Sequence, residues 1–172
     1  MHPGAFEFIG RYATTEEIRV IEIGSRDING SVRCHFPGAK WTGLDRIAGP
    51  SVDVVCDACD YAPEVRAEMC ICCEVLEHAA NWRQIIEAAW RFLRPGGTLL
   101  VTCAGPGRVV HSGIDGGRLR PEEYYANIAS ADLSASLQRQ GFSVHAIVDN
   151  FHTHDVYACA IKTEIPVIEP DI

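Results

Sequence analysis

Two carboxylates and a glycine are spaced in this chain so that together they can hold a nucleoside-containing cofactor. Residues 20–30 read Val-Ile-Glu-Ile-Gly-Ser-Arg-Asp-Ile-Asn-Gly, which puts Glu22 two positions before Gly24, and Asp45 follows Gly24 by 21 residues. A glycine at a strand end lets the backbone turn tightly beneath a ligand, and a helix after it would aim free N–H groups at that ligand. A carboxylate at the end of the next strand can accept both hydroxyls of a ribose in two charge-assisted hydrogen bonds. A dinucleotide fingerprint would place further glycines two and five residues after Gly24. Arg26 and Asn29 stand there instead, which argues against NAD.

Positioning these residues requires strands that end on a common edge. Residues 19–23, 41–45, 52–56, 68–73 and 98–103 are short and apolar with polar or turn residues behind them, as expected of strands buried on both faces of a parallel sheet. Between the fourth and fifth runs, Trp82, Ile85, Ile86, Ala89, Trp90 and Leu93 recur at helical spacing. Asn81 is the expected N-cap, with Gln84 three residues on, and Pro95-Gly96-Gly97 the expected stop. Residues 104–121 hold five glycines and two prolines, a loop long enough to imply a function. A short helix near 121–127 and a longer one at 131–140 follow, the second ended by Gly141. Residues 142–148 and 156–162 then read as an antiparallel hairpin, so the sheet is mostly parallel with one reversed strand.

Composition narrows the function classes. The 172 residues suit one domain, expected over 1–163 with a loose tail over 164–172. A net charge of −8 argues against a broad nucleic-acid-binding face. No apolar run is long enough to span a bilayer. Glu7 interrupts the apolar residues near the start and no basic segment precedes them, which predicts a cytoplasmic protein without a signal peptide. Most of the eight cysteines lie inside strand-like runs, where reduced cysteine packs as a small hydrophobe; neither disulfides nor a zinc site at Cys56 and Cys59 are expected.

From about Arg19 to Lys162 the chain resembles a small class I S-adenosylmethionine-dependent methyltransferase. Four segments carry the resemblance in order: Val20-Ile-Glu-Ile-Gly24, Gly43-Leu-Asp45, Val55-Cys-Asp57-Ala58, and Glu74-Val-Leu-Glu-His78 with Leu93-Arg-Pro-Gly-Gly97 behind it. The resemblance implies a doubly wound, Rossmann-like α/β fold whose seven strands run in the order 3-2-1-4-5-7-6 with strand 7 antiparallel. It implies S-adenosylmethionine as cofactor. Glu22 then faces the methionine ammonium, Gly24, Ser25, Arg26 and Asp27 line the methionine end, and Asp45 takes the ribose. Arg46 and Ile47 cover the adenine, Asp57 and Ala58 meet its edge, and Cys73 and Glu74 border the cofactor at the end of the fourth strand. The family usually has a second glycine where Arg26 stands.

Methyl transfer is a direct displacement for which the protein mainly supplies alignment. His78, above the fourth strand, is the candidate catalytic base; Glu77 is taken as structural. The fold brings His78, His111, His152 and His154 to one rim. They are read as separate surface histidines, and no metal site is expected. Neither the Asn/Asp-Pro-Pro-aromatic motif of amino-methylating DNA enzymes nor a Pro-Cys nucleophile is present. A small-molecule acceptor is therefore expected, with the 104–121 loop and Phe6 to Tyr12 as its walls or lid. The alternative is an inactive S-adenosylmethionine-binding protein acting as a sensor or assembly partner, permitted by the altered turn at Arg26. The sequence leaves the oligomeric state open.

Overall fold

The computed structural model describes residues 3–163. The elements follow in the order α1 (Pro3–Gly10), β1 (Arg19–Ile23), β2 (Lys40–Asp45), β3 (Val54–Val55), β4 (Ala67–Cys73), α2 (Trp82–Phe92), β5 (Leu93–Ala104), α3 (Ser130–Gln140), β6 (Phe142–Asn150) and β7 (Asp155–Lys162). The strands form one sheet in the order β3-β2-β1-β4-β5-β7-β6. β1 to β5 pair in parallel, and β7 runs antiparallel to both β5 and β6, as predicted. The tail expected after residue 163 lies outside the described residues.

Alternation along the strands explains why they are apolar throughout. Ile21, Ile23, Cys70, Cys72, Leu99, Val101, Ala158 and Ala160 face α2 and α3, while Val20, Met69, Ile71, Leu100, Tyr157 and Cys159 face α1 and the segment around Phe36. Both faces are thus buried, and a strand of that kind cannot show polar alternation. All eight cysteines are free thiols, four of them fully buried, consistent with their packing role. Among the described residues no helix is long and apolar enough to cross a membrane.

Several local expectations are corrected. No helix follows Gly24: the chain runs irregularly to a single 3-10 turn at Arg33–His35. Asp27 accepts a hydrogen bond from the Gly30 N–H at 2.7 Å, and Gly30 adopts φ 119°, so Asp27-Ile-Asn-Gly30 is a side-chain-closed turn rather than a helix start. Asn81 does precede α2 but makes no side-chain cap; its amide reaches Cys59 Sγ instead. The helix stops at Phe92, before the Pro-Gly-Gly run, and that run forms an irregularity inside β5, where the register passes from Ala67↔Leu93 to Met69↔Thr98. The helix expected near 121–127 is absent because its residues are bonded elsewhere: the Ala126 N–H donates to the Glu77 carbonyl, and Glu123 is spent on the preceding loop. Phe6 to Tyr12 is no lid. It falls mostly in α1, where Phe8 stacks on Tyr157 at 5.2 Å and seals the sheet face.

Candidate functional site

Because β1, β2, β4 and β5 are parallel, their carboxyl ends share one edge, and the chain order reverses between β1 and β4. A crevice opens at such a reversal. Here it is a cleft of about 1380 Å³ lined from the β2 side by Leu44, Asp45 and Ile47 and from the β7 side by Thr153 and His154. Its floor is the meeting of two turns. Gly24 has φ 71°, and a Cβ there would lie 2.1 Å from Val75 Cγ2. The place of the absent side chain is therefore filled by the turn after β4, so packing beneath the cleft requires a glycine at position 24.

Glu22 is buried at the end of β1 and accepts from Arg33 Nε at 2.9 Å, while Arg33 Nη2 donates to the Ser51 carbonyl at 2.7 Å. Burial pushes the Glu22 carboxyl up to about 7 despite the guanidinium beside it. Ser25 is buried next to it, with a hydroxyl that lacks any hydrogen-bond partner. That hydroxyl packs against β2, where a Cβ on Gly43 would lie 2.6 Å from it. Asp45 holds its carboxylate by two backbone donors: Oδ1 accepts from Ile47 N–H at 2.9 Å and Oδ2 from Arg26 N–H at 3.3 Å. Asp57 caps a 3-10 turn through Cys59 N–H at 2.9 Å, with Ala58 buried behind it.

Twelve of the thirteen residues named from the sequence line this cleft: Glu22, Gly24, Ser25, Arg26, Asp45, Arg46, Ile47, Asp57, Ala58, Cys73, Glu74 and His78. Asp27 does not. Its carboxylate closes the Gly30 turn and its N–H donates to the Pro50 carbonyl, which turns it away from the cleft. Arg26, where the family usually has glycine, leaves the turn open because its side chain departs: it passes against Gly49, and Nη2 donates to the Ile114 carbonyl at 3.0 Å. It thereby ties the long loop to the first turn. Replacing Arg26 with alanine keeps the backbone bond to Asp45 but frees Ile114, so hydrogen exchange of the amides in 110–117 is expected to rise by about tenfold or more, the loss of one hydrogen bond to a charged group. Unchanged exchange would show that the loop is held by other contacts.

Glu74 stands in the left-handed region at φ 56°, its N–H donating to the Thr102 carbonyl and its carboxylate accepting from Thr102 Oγ1 at 2.8 Å. Such a backbone outlier at a strand end persists where the surroundings impose it. The histidines are not all separate: the His78 and His111 rings lie 5.0 Å apart, and Tyr125 lies 5.3 and 5.1 Å from them. Burial, with His111 close by, pushes the His78 imidazole down to about 4, so it is neutral near pH 7 but a weak base. The loop carrying His111 is braced by Glu123, which accepts from Ser112 Oγ, Gly113 N–H and Arg120 N–H. Val75, Ala79, Ile85 and Tyr124 also line the cleft and escaped the sequence reading. Their signal was positional: Val75 lies two residues after β4, Ala79 ends the 3-10 turn that follows, and Ile85 lies on the first turn of the helix that packs there.

Residues 39–101 match the family profile described as a methyltransferase domain. No curated protein matches by sequence. Among solved structures, the Burkholderia thailandensis 1,6-didemethyltoxoflavin-N1-methyltransferase, with 1,6-didemethyltoxoflavin and S-adenosylhomocysteine bound, superposes with a TM-score of 0.70 at 17% identity, covering 94% of this chain and 78% of that one. DhpI in complex with S-adenosylhomocysteine gives 0.70 at 20% identity over 95% and 84%. The N-methyltransferase NodS from Bradyrhizobium japonicum gives 0.66 at 14% over 94% and 86%. At these identities the structural likeness is one of fold; the profile match runs from β2 into β5 and includes Asp45, Asp57 and Glu74. Residues 39–101 thus resemble a methyltransferase domain, and the chain has the fold of these methyltransferases. All three of these solved structures hold S-adenosylhomocysteine, and the cleft of this chain has room for a molecule of that size. Three carboxylates at or just after strand ends, Glu22, Asp45 and Asp57, and an apolar slot at Ile47, Ala58 and Ile85 offer partners for a cationic amino acid end, a ribose and a base.

Proposed function

We propose that the protein transfers the methyl group of S-adenosylmethionine to a small-molecule acceptor in the cytoplasm. The size of the cleft carries this reading. One drug-sized ligand fills about 300–1,000 Å³, and this cleft of about 1380 Å³ continues past the carboxylates to a second end lined by His78, His111, Tyr124 and His152. Cofactor and acceptor fit side by side. The bound small molecule in the Burkholderia relative supports an acceptor of that class. Free thiols inside the strands support a reducing compartment.

Glu22 and Ser25 hold the ammonium and carboxylate of the methionine end, Asp45 the ribose hydroxyls, Asp57 and Ala58 the adenine edge, and Arg46 and Ile47 its face. Bound there, the cofactor supplies an electrophilic methyl group on a sulfonium. The chain's own contribution is orientation and exclusion of water by the loop that Arg26 ties down. His78 faces the acceptor as a neutral imidazole.

The Glu22 carboxyl gives this arrangement a pH signature. Its pKa rises from 4.5 to about 7 on folding. Stability from this group is therefore full below 4.5 and is lost as pH rises through about 7, an effect of about 3 kcal/mol. An ammonium beside Glu22 favours the ionised form, so cofactor binding below about 7 must expel a proton. Affinity is expected to fall toward tenfold per pH unit below that point and to level above it, and Glu22→Gln to flatten the profile; a flat wild-type profile would remove Glu22 from the ammonium site.

Incubation with methyl-labelled S-adenosylmethionine and a small-metabolite extract tests the activity. A labelled product bears the proposal out. Cofactor binding with no label transferred to any fraction would leave an inactive binding protein.

A further inference from the structure

Beside the proposed acceptor end, one carboxylate oxygen of Glu77, one ring nitrogen of His78 and one of His111 all lie within 4.8 Å of one another. Methyl transfer as described above gives no role to Glu77, and His111 enters it only as part of the cleft wall. We propose that these three residues form a binding site for a divalent transition-metal ion, with coordination positions left open toward the cleft.

Four observations carry this. First, Glu77 is fully buried; Oε1 accepts from the Ala104 N–H at 3.2 Å, but Oε2 has no hydrogen-bond partner. A buried carboxylate oxygen without a partner is costly, and a cation is one of the few groups that answers it. Second, His78 Nδ1 is likewise buried and unpartnered. Third, His111 Nδ1 lies 3.0 Å from the Val109 carbonyl. A carbonyl only accepts, so Nδ1 carries the proton and Nε2 keeps its lone pair. A backbone carbonyl that fixes the far nitrogen in this way is the usual support of a metal-bound histidine. Fourth, the two histidines approach through a glycine: a Cβ on Gly113 would lie 2.9 Å from His78 Cγ, so the loop rests directly on the ring.

The donor set limits the ion. Two imidazoles and one carboxylate suit zinc, iron, cobalt or manganese rather than magnesium or calcium, and three protein ligands leave room for an exogenous oxygen. Metal–ligand distances are about 2.0–2.2 Å, so the donors must draw in, and His111, carried on the loop, is the one placed to move. The surroundings favour a cation: Glu74 lies within electrostatic reach of His111 and Glu77, and Asp155 within reach of Glu74 and Glu77, with Arg108 as the opposing charge. That the open positions receive an oxygen of the acceptor rests on the methyl-transfer reading; cation binding itself does not.

Cobalt is the probe. Protein stripped with a chelator and titrated with Co²⁺ is expected to bind one ion, with visible d–d absorption and without thiolate-to-cobalt charge transfer. His111→Ala, on the loop and away from the core, is expected to weaken binding by at least about tenfold and to lose the band while its thermal melt stays cooperative. Glu77→Gln should do the same where it folds. No heat and no band with wild-type protein, a band that survives His111→Ala, or thiolate charge transfer marking Cys56 and Cys59 would each overturn the site. Titration of the same stripped protein with S-adenosylhomocysteine separates the two readings: cofactor binding without cobalt binding removes the metal site alone.

Discussion

Replacing Asp45 with alanine is expected to weaken binding of S-adenosylmethionine by at least about 100-fold. The carboxylate ends β2 at the edge of the cleft, half-buried and held in one orientation by the N–H groups of Arg26 and Ile47. Each ribose hydroxyl would donate to it in a hydrogen bond to a charged group, worth about 1.5–3 kcal/mol, and two together exceed the 2.7 kcal/mol or so that corresponds to 100-fold. Alanine also leaves two backbone donors without an acceptor, so the loss is not purely one of contact. Asp45→Asn separates the two effects: it keeps the shape and one acceptor oxygen while removing the charge, and it should lose affinity with little change in melting temperature. Calorimetric titration reads both variants. An Asp45→Ala protein that binds with wild-type affinity would place the ribose elsewhere.

Gly24→Ala is expected to destabilise the fold by about 2–5 kcal/mol. A side chain at φ 71° costs about 1–2 kcal/mol, and its Cβ would overlap Val75 Cγ2 at 2.1 Å, an overpacking that typically costs about 1–3 kcal/mol more. In a chain of this length the melting temperature should fall by roughly 5–15 °C. Val75→Ala in the same protein removes the overlap but not the backbone strain, so the double variant should recover part of the loss and no more. Chemical denaturation of the wild type, each single variant and the double variant measures this. Equal stability of Gly24→Ala and the wild type would mean that the two turns do not meet as described.

The sheet was legible because its signal is local and redundant. Each strand buries both faces, so each reads as an apolar run, and the order of the runs with their terminal acids leaves few ways to assemble them. The hairpin of β6 and β7 was visible from the short polar segment between two such runs. Side-chain hydrogen bonds to backbone were not legible, and they decide the corrections. Asp27 looks like a cofactor contact until its carboxylate closes the turn on Gly30, and the same bond replaces the helix expected after β1. Glu123 and the Ala126 N–H look like parts of a short helix until they brace the long loop and Glu77. Arg26 looked like an obstruction because its type, and not its direction, is what a sequence shows; its side chain spans 88 residues of sequence to reach Ile114. The contact between His78 and His111 depends on how the 104–121 loop folds back, which glycine-rich sequence does not specify.

Calorimetric titration of the wild-type protein with S-adenosylhomocysteine is the most direct test of the central claim, that the acids at the ends of β1, β2 and β3 form a cofactor cleft. One site is expected, with a rise in melting temperature that grows with ligand concentration. Neither heat nor a thermal shift at millimolar ligand would contradict it.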